Sequence, residues 1–154
     1  MPNSVRVAVS ILSLGMLLSA CADGGGDAPT SAATVAPDVA AVDLQALLAT
    51  ADPGKGKVLF LQCRACHSLE DGGANKVGPN LHGIFGRKAG VAPGFAYSDV
   101  VSQSSIIWSA ETLNEWLARP SDFLPGNRMV FVGIRKPEDR ANLITYLQRE
   151  TGAK

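Results

Sequence analysis

Apolar side chains recur at helical spacing in three stretches of the C-terminal two-thirds of the chain, and no segment sustains a period-two alternation. The first predicted helix covers 53–63. It follows Asp52-Pro53, an N-cap with proline at the first helical position, and sets Val58, Leu59, Phe60 and Leu61 to one side. The second covers 110–118, with Leu113, Trp116 and Leu117 at i, i+3 and i+4 and Ser109 as its cap. The third covers 137–150. Pro137-Glu138-Asp139 suits a helix start and its dipole, and Leu143, Ile144 and Leu147 stack on one face. Gly- and Pro-rich connections fill the space between them. The fold class read from this pattern is all-α with long loops. Loops of that length in a domain this small need something to pack against, and a buried prosthetic group would serve.

The N-terminal third follows different rules. Arg6 and the apolar run from Val7 to Leu18 read as an export signal over residues 1–20. That run is about half of the roughly 20 residues that span a bilayer. It leaves through Leu18-Ser19-Ala20-Cys21, which resembles the bacterial lipoprotein signal, where the cysteine thiol takes a lipid and becomes the new N-terminus. The alternative is an ordinary cleaved signal with Cys21 incidental. Residues 21–50 read as the lipidated cysteine and a flexible tether of Gly, Ala, Pro, Ser, Thr and Asp, with too few large apolar groups to offset chain entropy. Val42–Leu48 is not expected to form a helix independently. The domain proper is assigned to 51–154.

Charge is balanced over the chain, with 14 Lys and Arg against 14 Asp and Glu, but it is unevenly placed. Residues 22–49 carry four Asp and no base, and residues 50–154 carry thirteen bases against ten acids. A weakly basic domain on an acidic tether suits docking to acidic protein surfaces. It lacks the strong basic stripe of a nucleic-acid binder.

The chemistry lies in Cys63-Arg64-Ala65-Cys66-His67. This is the haem-attachment pattern: two thiols three residues apart reach the vinyl groups on one edge of a haem, and the next residue offers an imidazole to the iron. A thioredoxin-like Cys-x-x-Cys needs a βαβ context that is missing here. A zinc site drawing on His82 would lack the usual second short-spaced pair, and a structural disulfide is the plainest alternative. With Met1 and Met16 in the signal, Met129 is the single methionine of the domain. A lone methionine is usually core filler. Downstream of this motif it becomes the natural partner of His67 on the iron, with His82 the rival imidazole.

At this point the residues carry a family resemblance. Val77-Gly78-Pro79-Asn80-Leu81-His82-Gly83, Gly86-Arg87-Lys88, Ala92-Pro93-Gly94-Phe95-Ala96-Tyr97-Ser98, Ile107-Trp108, Pro125-Gly126-Asn127-Arg128-Met129 and Leu143-Ile144-Thr145-Tyr146-Leu147 together resemble the class I cytochromes c of mitochondria and their bacterial relatives. The resemblance implies the class I fold around one covalent haem c, with Cys63 and Cys66 as thioether attachments and His67 and Met129 as axial ligands. It implies that the Pro79 carbonyl fixes the tautomer of His67. It also places Arg87, Tyr97, Ser98 and Trp108 against the haem propionates, and brings Gly56 and Phe60 against Leu143 and Tyr146. There are departures. Only Leu61 and Gln62 separate Phe60 from Cys63, one residue fewer than in mitochondrial members. Val101, Asn127 and Trp116 replace an asparagine, a threonine and a tyrosine of the polar network near the methionine. Two lysines that displace the methionine at high pH in relatives are Asp122 and Arg128 here.

The function expected is a one-electron carrier rather than an enzyme, since no carboxylate pair or activated nucleophile is evident. Loss of Met129 from the iron would instead open a peroxidase-like site, or one for a diatomic ligand. The partners implied by the resemblance are a cytochrome bc complex and a terminal oxidase or photosynthetic reaction centre. The expected location is the periplasmic side of the bacterial inner membrane, through the lipid on Cys21.

Overall fold

Asp43 opens the structure as an N-cap, its carboxylate accepting the N–H groups of Gln45 and Ala46 at 3.0 and 3.2 Å. The computed structural model describes residues 43–152; the segments read above as an export signal, a lipidated Cys21 and a tether up to residue 42 lie outside them. Helix α1 (Leu44–Ala49) is short and packs on the last helix of the chain. Six residues are too few to show a helical period, so the sequence pattern alone assigns them to the tether. Leu48 settles the matter by packing against the main core, and Gln45 Nε2 donates to Glu111 Oε1 at 3.0 Å. The packed part of the chain therefore includes α1, ahead of the expected domain start at residue 51.

Helix α2 (Pro53–Phe60) begins as expected, with the Asp52 carboxylate accepting from Gly54 N at 2.7 Å and Lys55 N at 3.3 Å. It stops three residues short of the predicted end. The backbone continues as tight turns over 61–66, because Cys63 N and Arg64 N both turn back on the Phe60 carbonyl, at 2.8 and 3.0 Å. Its apolar side is narrower than predicted: Phe60 is buried, but Val58 and Leu61 are 66% and 54% exposed. The face that packs is set by Gly56 and Phe60, four residues apart and one above the other.

Helices α3 (Asp99–Ser102) and α5 (Pro120–Phe123) are single turns. Helix α4 (Ala110–Ala118) has the predicted bounds, closed by a capping box between Ser109 and Thr112. Helix α6 (Pro137–Glu150) also matches its prediction. No strand forms among the described residues beyond one isolated bridge between Lys88 and Ile107, so the fold is all-α.

Helices α2, α4 and α6 share one core of Phe60, Leu113, Leu117, Ile134, Leu143, Ile144 and Leu147. At the α2–α6 crossing the Phe60 and Tyr146 rings lie 5.7 Å apart, and Asn142 Oδ1 accepts the Asp52 N–H at 2.7 Å. Arg140 is a buried cation in the first turns of α6. Its guanidinium is satisfied by oxygens rather than a carboxylate: Asn114 Oδ1 at 2.7 Å and the Ile134 and Arg135 carbonyls at 2.8 and 2.9 Å. These bonds tie α6 to α4 and to the segment following Met129. No helix among the described residues is long and apolar enough to cross a membrane.

Candidate haem site

The attachment segment leaves α2 as one more tight turn. Cys66 N and His67 N both donate to the Cys63 carbonyl at 3.0 Å, which brings the two thiols and the imidazole onto consecutive corners of one turn. Cys63 packs against the core, and burial, with Cys66 adding to it, pushes its thiol up to about 11. The two sulfurs are not joined to each other.

His67 is half-buried, and its Nδ1 lies 2.8 Å from the Pro79 carbonyl. A carbonyl can only accept, so Nδ1 carries the proton and Nε2 is left with its lone pair. Burial lowers the imidazole's affinity for a second proton. The Pro79 carbonyl opposes this, and the Lys76 charge adds to the lowering. The ring rests on the backbone of Gly78, close enough that a Cβ there would lie 2.8 Å from both ring nitrogens. Gly78 N in turn donates to the Cys66 carbonyl at 2.8 Å.

Met129 is also half-buried, in the loop between α5 and α6. Asn127 braces it. Its Oδ1 accepts the Met129 N–H at 2.9 Å, while its Nδ2 donates to the Pro120 and Leu124 carbonyls at 2.8 and 2.9 Å. Arg128 reaches across to the Ala96 carbonyl at 3.0 Å, joining this loop to the one that carries Tyr97 and Ser98. Asp122 pairs with Arg119 at 3.1 Å.

Arg87 and Trp108 are brought together by backbone: Trp108 N donates to the Arg87 carbonyl at 2.9 Å and Gly86 N to the Trp108 carbonyl at 2.8 Å. The Arg87 guanidinium holds the His82 and Asn80 carbonyls at 2.9 and 3.1 Å. Trp116 stands edge-on between Trp108 and Phe123, with centroids 5.5 and 5.9 Å away. Burial raises the Tyr97 hydroxyl above its ordinary value, against the pull of the Ala92 backbone and Arg87. Ser98 Oγ is buried and has no hydrogen-bond partner among the described residues. An orphaned buried hydroxyl is costly unless a ligand completes it. A haem carboxylate at this rim fits that need, and the Cys/Cys/His turn supplies the donors that haem attachment requires. His82 is engaged elsewhere, with Nδ1 3.1 Å from the Leu69 carbonyl and Nε2 3.7 Å from Asp71.

The family model for cytochrome c matches residues 54–150. The chain belongs to the cytochrome c family. It is 48% identical over 101 residues to cytochrome c of the alga Chlamydomonas reinhardtii, covering 65% of this chain and 90% of the relative. The identity is again 48% over 101 residues with cytochrome c of the fungus Cochliobolus lunatus (65% and 94%) and of Arabidopsis thaliana (65% and 90%). Membership brings with it a covalently bound haem c and one-electron transfer without substrate chemistry. Helix α1 lies outside the matched span.

The Asn127 brace is absent from the sequence reading, where the residue counts only as a replaced threonine. An Asn following Pro-Gly is a turn signal, since its side chain can bond backbone two residues on. That signal is present in the sequence and points to this contact. Losing all three bonds in Asn127→Ala leaves the Met129 N–H unpaired, while the Pro120 and Leu124 carbonyls keep the Leu124 and Asn127 N–H groups as donors. We expect the holoprotein to lose about 2–3 kcal/mol to denaturant, and the methionine–iron charge-transfer band to vanish at a lower pH than in the wild type. Identical denaturant and pH titrations would contradict the brace.

Proposed function

We propose that this cytochrome is a periplasmic one-electron carrier, tethered to the bacterial inner membrane by a lipid on Cys21 and working between a cytochrome bc complex and a terminal oxidase or reaction centre. The observation that carries the site reading is the His67–Pro79 bond of 2.8 Å, which frees Nε2 as the donor of a neutral imidazole. The haem, when bound, supplies the one-electron couple. Everything else is the work of the chain. Cys63 and Cys66 would hold the group as thioethers, and His67 and Met129 would supply the iron's imidazole and thioether ligands. Side chains fixed as these are would have little to move between oxidation states. Ser98, Tyr97, Trp108 and Arg87 meet the buried carboxylates, whose desolvation needs such donors.

The tether follows from the N-terminal pattern. An acidic, Gly- and Pro-containing leader after Leu18-Ser19-Ala20-Cys21 gives a domain with no membrane helix of its own among the described residues a way to stay near membrane partners. Tethering raises the local concentration of the carrier, which makes strong charge steering less necessary. Surface charge agrees: Arg128, Arg135 and Lys136 are exposed beside the Met129 loop, but Ser121 and Asp122 dilute them.

Cys21→Ser tests this directly. The substituted protein should move from the membrane fraction to the soluble periplasmic fraction with its haem intact. Membrane-supported oxidation of the carrier should then fall, while its rate with solubilised partner complexes stays the same. A wild-type protein that already washes off membranes with salt would overturn the anchor and leave the carrier standing.

A further inference from the structure

The three backbone carbonyls that end the attachment turn, those of Arg64, Cys66 and His67, face away from any helix that could use them. End-of-turn carbonyls need outside donors. Gly78 N–H serves Cys66 at 2.8 Å. The other two are served by one side chain: Lys76 Nζ donates to the Arg64 carbonyl at 2.9 Å and to the His67 carbonyl at 3.2 Å. Lys76 is held in place by its own backbone, whose N–H donates to the Gly78 carbonyl at 2.9 Å. The short segment 76–79 therefore touches the attachment turn from both sides. Pro79 fixes the imidazole, Gly78 supports its ring and binds Cys66, and Lys76 closes the outside. A cation at turn-end carbonyls is favoured by their partial negative charge.

We propose that Lys76 is a positioning residue for the haem ligand: its ammonium clamps the exit of the attachment turn so that the His67 ring keeps its alignment with Pro79. The inference rests on His67 being the axial ligand, as proposed above. Lys76 is exposed and lines an open cavity of about 500 Å³ behind the turn, together with Lys57, Arg64, Glu70 and Tyr146. It is therefore reachable from solvent, and the competing account makes Lys76 an ordinary surface charge that meets a partner and does nothing for the iron. The two accounts separate in the isolated protein. A docking lysine has no bearing on hydrogen exchange inside the turn or on the magnetic anisotropy of the ferric iron. A clamp bears on both.

The experiment compares ferric holoprotein of the wild type with Lys76→Met, which keeps the stem without the donor, and Lys76→Arg, which keeps a charged donor able to reach two carbonyls. Lys76→Met should speed exchange of the Gly78 amide by about tenfold and shift the g values of the low-spin ferric signal, with haem stoichiometry unchanged. Lys76→Arg should return both readings towards the wild type. If Lys76→Met does not accumulate as holoprotein, Lys76→Gln, with a shorter neutral donor, gives the same readings in the same direction. Wild-type exchange and g values in the charge-removing variants would overturn the clamp, whatever happens to partner association. A wild type with no low-spin ferric signal would instead overturn the ligand assignment, and the exchange arm still tests the clamp without the iron.

Discussion

Gly78→Ala should disable the ligand side of the site while leaving covalent attachment intact. The added Cβ would lie 2.8 Å from both nitrogens of the His67 ring and closer still to its Cε1. Non-bonded carbon and nitrogen do not share that space, so ring or loop must give way. The loop has little freedom, because Gly78 N is bonded to the Cys66 carbonyl and Pro79 follows. The ring therefore leaves its bond with the Pro79 carbonyl. Loss of such an outer partner typically costs a histidine ligand about 10–100-fold in metal affinity. Thioether formation depends on Cys63 and Cys66 and should proceed. The expected protein is coloured and covalently loaded, but its ferric spectrum is shifted towards high spin. A low-spin spectrum indistinguishable from the wild type would show that the ring does not need this backbone to lie against.

Gly56→Ala should cost the scaffold far more than the gain in helix propensity returns. Alanine in a helix is normally better than glycine by about 1 kcal/mol. On a free helix surface, then, the change would stabilise. Here the new Cβ would overlap the Asn142 carbonyl and sit 2.6 Å from Tyr146 Cβ, against backbone and Cβ atoms that cannot swing aside. The α2–α6 crossing would have to open. That would disturb the Asn142–Asp52 bond and the Phe60–Tyr146 contact as well. We expect a net loss of about 3 kcal/mol, at the upper end of what overpacking costs. For a domain of this size that is a fall in melting temperature on the order of 10–20 °C. Equal or greater thermal stability of the holoprotein would mean that the helices cross with room to spare.

The features legible in the sequence are those with local causes. Asp52-Pro53, Ser109 with Thr112, and Pro137 mark helix starts by capping chemistry, and α4 and α6 have the bounds those signals predict. The attachment motif is equally local, with both thiols and the imidazole within five residues. What escapes a sequence reading depends on distance in the chain. Helices α1, α3 and α5 are too short for a period to show; α1 is ordered by Leu48 and Gln45 reaching elements far downstream. The α2 apolar face looks broader in sequence than it is, because Val58 and Leu61 resemble core residues until the neighbouring helix is placed. Lys76 bonds carbonyls nine and twelve residues earlier, and nothing beside it announces that. Asn127 lies between these cases, since its bonds to Met129 and Leu124 are local turn chemistry but its bond to Pro120 reaches seven residues back.

As proposed above, electron transfer by this cytochrome would depend on one iron held by the imidazole nitrogen of His67 and the thioether of Met129. Optical and magnetic-resonance spectra of the purified ferric protein test that ligation most directly. They should show one haem per chain that resists extraction by acidified organic solvent, a low-spin signal and a sulfur-to-iron charge-transfer band that Met129→Ala removes. Colourless protein, extractable haem, or a low-spin signal unchanged in Met129→Ala would contradict it.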